Sequence, residues 1–182
     1  MRIEELDIPG LLLIEPSKIG DARGFFSETF RVDKFEAIAG PVRFVQDNQS
    51  LSARAGTVRG LHYQRAPRGQ AKLVRVTRGA ILDVAVDIRD GSPTYGRHIA
   101  VELSEQNWRQ LFIPEGFLHG FCTLTENVEV IYKVSDYYSA EHDAGVRWND
   151  PALGIKWPFP ESATAVSDKD RNAPFFAEIA SA

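Results

Sequence analysis

Residues 80–88 read Ala-Ile-Leu-Asp-Val-Ala-Val-Asp-Ile. In an extended chain successive side chains point to opposite sides, so Leu82, Val84, Val86 and Ile88 share one face, and Ile81, Asp83, Ala85 and Asp87 share the other. Turn sequences bracket the stretch, Arg78-Gly79 before it and Asp90-Gly91-Ser92-Pro93 after it. A short strand between turns, repeated along a chain, predicts an all-β sandwich or barrel.

The pattern continues in both directions. Val128–Val134 alternates with Val128, Val130, Tyr132 and Val134 on one face. Further strands are expected at Gly10–Glu15, Phe25–Phe30, Val42–Ser50, Thr57–Gln64, Ala71–Thr77, His98–Leu103, Arg109–Ile113 and Phe117–Leu124. Helical signals are few. Val32–Ala39 places Phe35 and Ile38 three apart and is stopped by Gly40-Pro41, and a second short helix is expected near Ser104–Trp108. The Pro-, Trp- and Phe-rich tail from Asp150 is expected to wrap the barrel, so residues 1–182 read as one domain.

Composition narrows the class of function. The 182 residues are 43% hydrophobic and 25% charged, as in a globular protein. A net charge of −4 argues against nucleic acid as a partner, while leaving room for a local cationic cluster around a small anion. Cys122 is the only cysteine; it rules out an internal disulfide and lies in an apolar stretch, reading as a small core residue. The charged N-terminus is no signal peptide, and no apolar run nears the ~20 residues of a membrane helix, so a soluble, cytoplasmic protein is expected.

The anomaly is polar chemistry on apolar strand faces. His62 alternates with Val58, Gly60 and Gln64; Lys72 shares a face with Val74 and Val76; Tyr132 sits between Val130 and Val134; Gln46 and Asn48 continue the face of Val42 and Phe44. Turned inward, these faces give the barrel an imidazole, an amine, a phenol and two amides. Unpaired burial of such groups costs several kcal/mol, on the order of 2–7, unless they bind something. Taken singly, each also reads as a satisfied core residue, and Lys72 as a strand-end lysine whose amine reaches solvent.

The motifs resemble those of the dTDP-4-dehydrorhamnose 3,5-epimerase family from Ile8 to about Pro174. They are the runs at residues 20–26 (GDARGFF), 44–48 (FVQDN), 58–64 (VRGLHYQ), 69–75 (GQAKLVR), 83–89 (DVAVDIR) and 113–121 (IPEGFLHGF), then Tyr132-Lys133, Tyr137-Tyr138, Trp148-Asn149-Asp150 and Ser167-Asp168-Lys169-Asp170. The resemblance implies an all-β cupin jelly-roll barrel, a homodimer, no cofactor, and a dTDP-linked 4-keto-6-deoxy sugar as substrate. It implies His62 as base, Tyr132 as acid and Asp170 as the carboxylate behind His62, although Asp170 alone reads as a surface acid. It implies Tyr138 stacked on thymine, with Arg23, Glu28, Gln46, Asp47, Asn48, Arg59, Lys72, His119 and Lys169 lining the ligand. It also implies a substrate-binding acid at Asp143, which stands where a longer acid is expected.

The implied reaction removes a proton from carbon beside a ketone, at C3 and C5, and returns it from the opposite face. It needs a base, a stabiliser for the enolate oxygen and an acid across the ring. Imidazole, with a reference pKa of about 6.5, is largely neutral at pH 7, and a phenol near 10 is protonated. A Lys72 ammonium beside the C4 oxygen stabilises the transition state above the ground state. Arg23 and Arg59 suit a diphosphate, though each also reads as an ordinary exposed arginine. His119 and Asp83 form a possible second imidazole–carboxylate pair.

Cupin barrels often hold a metal through a His-x-His pair; here that pair reads His62-Tyr63-Gln64, and no metal is expected. The alternatives are an epimerase acting at one centre or a ketoisomerase on a related sugar nucleotide, a metal-dependent cupin oxygenase, and a non-catalytic sugar-binding barrel.

Overall fold

The computed structural model describes residues 1–179. Its strands are β1 (Arg2–Glu5), β2 (Leu12–Glu15), β3 (Lys18–Asp21), β4 (Gly24–Ser27), β5 (Gln46–Ser52), β6 (Val58–Gln64), β7 (Lys72–Arg78), β8 (Ala80–Asp87), β9 (His98–Ser104), β10 (Gln110–Ile113), β11 (Phe117–Thr123), β12 (Val128–Val134) and β13 (Asp143–Gly145). Two antiparallel sheets, ordered β1-β2-β10-β7-β12-β5 and β13-β6-β11-β8-β9, face each other as a cupin-like jelly roll. The hairpin β3–β4 stands apart from both. Helix α1 (Val32–Ala39) and the single-turn helices α2 (Asp168–Arg171) and α3 (Phe176–Ile179) complete the main elements. Among the described residues no helix is long and apolar enough to cross a membrane.

Three apolar layers hold this arrangement. Between the sheets pack Val74, Val76, Leu111, Val128 and Val130 from one side and Ile81, Ala85, Leu103, Phe117 and Phe121 from the other. Outside the six-stranded sheet, Leu12, Ile14, Leu73 and Phe112 are covered by Phe35 of α1, with Phe30 and Phe44 alongside. The T-shaped Phe35–Phe112 contact, at 4.9 Å, anchors that helix. Outside the five-stranded sheet, Leu61, Val84, Val86 and Leu118 lie under Leu153, Ile155, Trp157, Phe176 and Ile179 of the C-terminal segment. The tail therefore wraps the barrel. Full burial of each such side chain contributes about 1.5–3 kcal/mol.

Several expected elements are displaced. The more apolar face of β8 points outward beneath the tail, and the Asp83-bearing face points between the sheets. The expected strand Phe25–Phe30 ends at Ser27, paired with β3 across a turn in which the Arg23 amide donates to Asp21 Oδ1 at 2.8 Å. The expected strand from Val42 begins only at Gln46, because Val42 and Phe44 join the aromatic cluster around α1 instead of the inner face. The helix expected at Ser104–Trp108 is a turn. Asn107 Oδ1 accepts from the Ser104 amide, the Asn107 amide donates back to Ser104 Oγ, and Trp108 takes φ +61°, which ends any helical path.

Candidate active site

One end of the space between the sheets opens into a cavity of about 480 Å³. Arg59 and His62 reach it from β6, Lys72 from β7, His119 from β11, Tyr132 from β12 and Ser50 from β5; Ser167, Lys169 and Asp170 close one wall.

A bulge explains how β6 supplies two of these groups. His62 pairs with His119, but Arg59 pairs with Phe121, so β6 spends three residues where β11 spends two. Residues three apart on a regular strand face opposite ways; the extra residue restores Arg59 and His62 to one side. Gly60 makes the bulge possible. Its φ is +129°, and a Cβ there would sit 2.6 Å from Gly120 Cα.

His62 Nε2 donates to Asp170 Oδ1 at 2.6 Å. The second oxygen, Oδ2, accepts from the Gly60 amide at 3.2 Å, and Ser167 Oγ caps the Asp170 amide at 3.1 Å. Asp170 is 4% exposed. Burial pushes its carboxyl up, but the bonds from His62, Gly60 and Ser167 outweigh burial and hold it below the usual range. The pair is thus a carboxylate fixing one imidazole nitrogen as a donor, leaving Nδ1 as the basic one.

Lys72 is buried, and its Nζ lies 3.5 Å from the His62 carbonyl. Burial lowers its pKa to about 8, with Asp83 and Asp143 opposing the shift, so the amine is mostly charged at pH 7 and easily discharged above it. His119 Nε2 donates to the fully buried Asp83 at 2.7 Å. Burial lowers the His119 pKa against the pull of Asp83, favouring neutral imidazole. Burial raises the Tyr132 phenol above its ordinary value, partly offset by Arg59, so it keeps its proton at neutral pH. Cys122, buried and pushed up to about 11, is an inert thiol outside the cavity.

The other expected ligand residues lie elsewhere. Gln46 and Asn48 share the Tyr132 side of β5 and bond to each other at 2.8 Å, outside the cavity wall. Asp47 points to the opposite face and pairs with Lys133 at 2.9 Å. Tyr138 is 60% exposed, its amide bonded to Gln46 Oε1. Asp143 holds Lys169 and the Tyr138 hydroxyl. Arg23 and Glu28 sit around the β3–β4 hairpin, away from the cavity within one chain: Arg23 pairs with Asp21, and Glu28 with Lys34 and Arg31.

Ser50 was not among the expected residues. Its hydroxyl is buried in the cavity wall without a hydrogen-bond partner among the described residues, on the same alternation as Gln46 and Asn48, which is the signal that could have found it. Among the described residues no group of three or more His, Cys, Asp and Glu side chains is placed to hold a metal ion.

A family model described as dTDP-4-dehydrorhamnose 3,5-epimerase matches residues 5–178. The chain is 52% identical over 179 residues to the dTDP-4-dehydrorhamnose 3,5-epimerase of Sinorhizobium fredii, spanning 98% of this chain and 91% of that one. Its structure superposes with TM-score 0.93 and 45% identity on the Legionella pneumophila dTDP-6-deoxy-D-glucose-3,5-epimerase in complex with dTDP-4-keto-L-rhamnose, covering 98% and 94% of the two chains. A 3′-monoepimerase from Streptomyces bikiniensis, in complex with dTDP-quinovose, matches with TM-score 0.87 and 38% identity over 95% and 87%.

Proposed function

The chain belongs to the dTDP-4-dehydrorhamnose 3,5-epimerase family, and from that premise we propose that it converts dTDP-4-dehydro-6-deoxy-D-glucose to dTDP-4-dehydro-L-rhamnose, with His62 as base and Tyr132 as acid. The observation that carries this reading is that His62, backed by Asp170, lines one cavity together with Tyr132 and Lys72.

The carbon acid beside the ketone loses its proton to the neutral imidazole. Asp170 stabilises the imidazolium that forms. Negative charge then grows on the C4 oxygen, where the buried ammonium of Lys72 offers a fixed donor in a site largely removed from water; one such donor typically contributes ~10²–10³ in rate. Tyr132 returns a proton to the other face, inverting the centre. Arg59, bonded to Ser52 Oγ at 3.1 Å, stands at the cavity as a diphosphate partner. Tyr138 offers an exposed ring for the base.

Arg23 and Glu28 do not meet this cavity within one chain. The β3–β4 hairpin, with Arg23 in its turn and Glu28 just after it, leaves Ile19, Phe25 and Phe26 59–70% exposed, an apolar set that suits contact with another chain. The protein accordingly acts as a homodimer in which each hairpin serves the partner's cavity.

Incubation with the 4-keto sugar nucleotide in deuterated water tests the reaction. Solvent label at both C3 and C5, with inversion, is expected. Label at one carbon only would reassign the protein to single-centre chemistry, as in the Streptomyces bikiniensis relative.

A further inference from the structure

We propose that Asp143 is a positioning residue that ties the exposed Tyr138 to the helix carrying Asp170, so that one carboxylate sets both the grip on the nucleotide base and the placement of the general base. The proposal deepens the epimerase reading and rests on it.

β13 runs antiparallel to β6, with Gly145 opposite His62 and Asp143 opposite Gln64. Asp143 is therefore one inter-residue step of the same side removed from the catalytic imidazole. Its Oδ2 accepts from Tyr138 Oη at 3.1 Å and from Lys169 Nζ. Lys169 directly precedes Asp170, whose Oδ1 accepts from His62. A continuous run of bonded groups thus joins the exposed Tyr138 ring to the imidazole: Tyr138, Asp143, Lys169, then by one peptide to Asp170 and His62.

The geometry also argues against Asp143 as a direct ligand contact. One of its oxygens is already engaged by two donors, its side chain is only 15% exposed, and it does not line the cavity, whereas Lys169 does. The short Asp143 side chain reaches Lys169 and Tyr138 rather than the sugar. Asp143 also raises the pKa of Lys169 and supports the charge on Lys72, so its negative charge acts on two cavity cations at once. The Tyr138 amide bond to Gln46 Oε1 fixes the other end of the same loop. A base stacked on Tyr138 would therefore meet a ring whose hydroxyl is held by the same carboxylate that holds Lys169 of the cavity wall.

The test is a double-mutant cycle in the full-length protein: wild type, Tyr138→Phe, Asp143→Asn and the double variant, each measured for TDP affinity by calorimetry and for saturating solvent exchange on the sugar nucleotide. Phe keeps the stacking ring and removes only the bond. Each single variant should bind TDP roughly 3–10-fold more weakly, and the double variant no more weakly than the worse single one. Asp143→Asn should also lower the saturating exchange rate several-fold, through Lys169 and Asp170, and Asp143→Glu should restore it. Additive losses of TDP affinity, or an unchanged exchange rate in Asp143→Asn, would overturn the coupling. Wild-type protein that binds TDP yet exchanges no carbon-bound proton would instead overturn the epimerase reading.

Discussion

His62 and Asp170 meet at 2.6 Å although 108 residues separate them in the chain. The contact joins an inner strand to the tail that wraps the barrel. It also settles the imidazole: Nε2–H is given to the carboxylate, so Nδ1 carries the lone pair. Because Oδ2 is held by the Gly60 amide and the Asp170 amide is capped by Ser167, the carboxylate has little freedom to turn away.

Asp170→Asn should therefore cost catalysis more than binding. The amide keeps the size of the carboxylate but presents no charge to the imidazolium and can favour the wrong tautomer. Loss of solvent exchange by on the order of 10²–10⁴ is expected, with TDP affinity changed by less than about threefold. His62→Ala should abolish exchange and keep nucleotide binding. Near-normal turnover in His62→Ala would remove it as the base.

Lys72 predicts opposite effects on stability and activity. Its folded pKa of about 8 lies below its unfolded value of 10.5. Between those values the unfolded chain holds a proton that the native state has released, so stability rises with pH across that window, by up to about 1.4 kcal/mol per unit. Activity runs the other way, falling above pH 8 as the ammonium is lost. Lys72→Met should flatten the pH dependence of stability, melt higher than wild type at pH 7, and lose ~10²–10³ in rate. Chemical denaturation from pH 7 to 10 reads the first effect and deuterium exchange the second. A Met variant that is less stable at pH 7 would show that the charge is well accommodated.

Tyr132→Phe should separate exchange from inversion. The base can still remove and return a proton on one face, but the opposite face lacks its donor. Solvent deuterium at C5 with retained configuration is the expected product signature, read by NMR. Inversion at the wild-type rate would exclude the phenol as the acid.

Gly60→Ala tests the bulge that brings Arg59 and His62 to one cavity. The new methyl would lie 2.6 Å from Gly120 Cα and 2.9 Å from the His119 carbonyl, both backbone, at a φ of +129°. Neither strand can yield cheaply, so a loss of about 3 kcal/mol or more is expected in urea melts. A Gly60→Ala variant as stable as wild type would mean that the two strands can separate there without cost.

Alternation made the barrel legible. β8 and β12 follow their period-two patterns closely, and α1 spans Val32–Ala39 as its apolar spacing and Gly40-Pro41 stop require. The direction of each face was not legible. On β8 both faces are buried, so hydrophobicity could not tell that Leu82, Val84 and Val86 look out toward the tail while Asp83 looks in. The bulge in β6 was equally hidden, because it depends on how closely Gly120 approaches. In the site, polar residues on strand faces marked His62, Lys72 and Tyr132. Asp170 gave no such signal, since its neighbours are exposed and its burial comes entirely from a tertiary contact.

Arg23 carries the sharpest consequence of the hairpin's position. Its side chain is 89% exposed and, among the described residues, bonded only to Asp21 at 2.5 Å, outside the cavity of its own chain. If it serves a second copy, a diphosphate would draw it from Asp21, and Arg23→Ala should weaken substrate use about 10–100-fold at low concentration, with little change at saturation. Mixing Arg23→Ala with the inactive His62→Ala protein then distinguishes the two placements. Acting between chains, a mixed dimer regains one wild-type site: the Arg23→Ala copy supplies His62 and the His62→Ala copy supplies Arg23. Acting within one chain, no site in the mixture is intact. Recovery of low-substrate exchange after co-refolding is expected, at roughly half the wild-type rate per mixed dimer. A mixture that performs only as the sum of its parent dimers would return Arg23 to its own chain's surface and leave the hairpin without a catalytic partner.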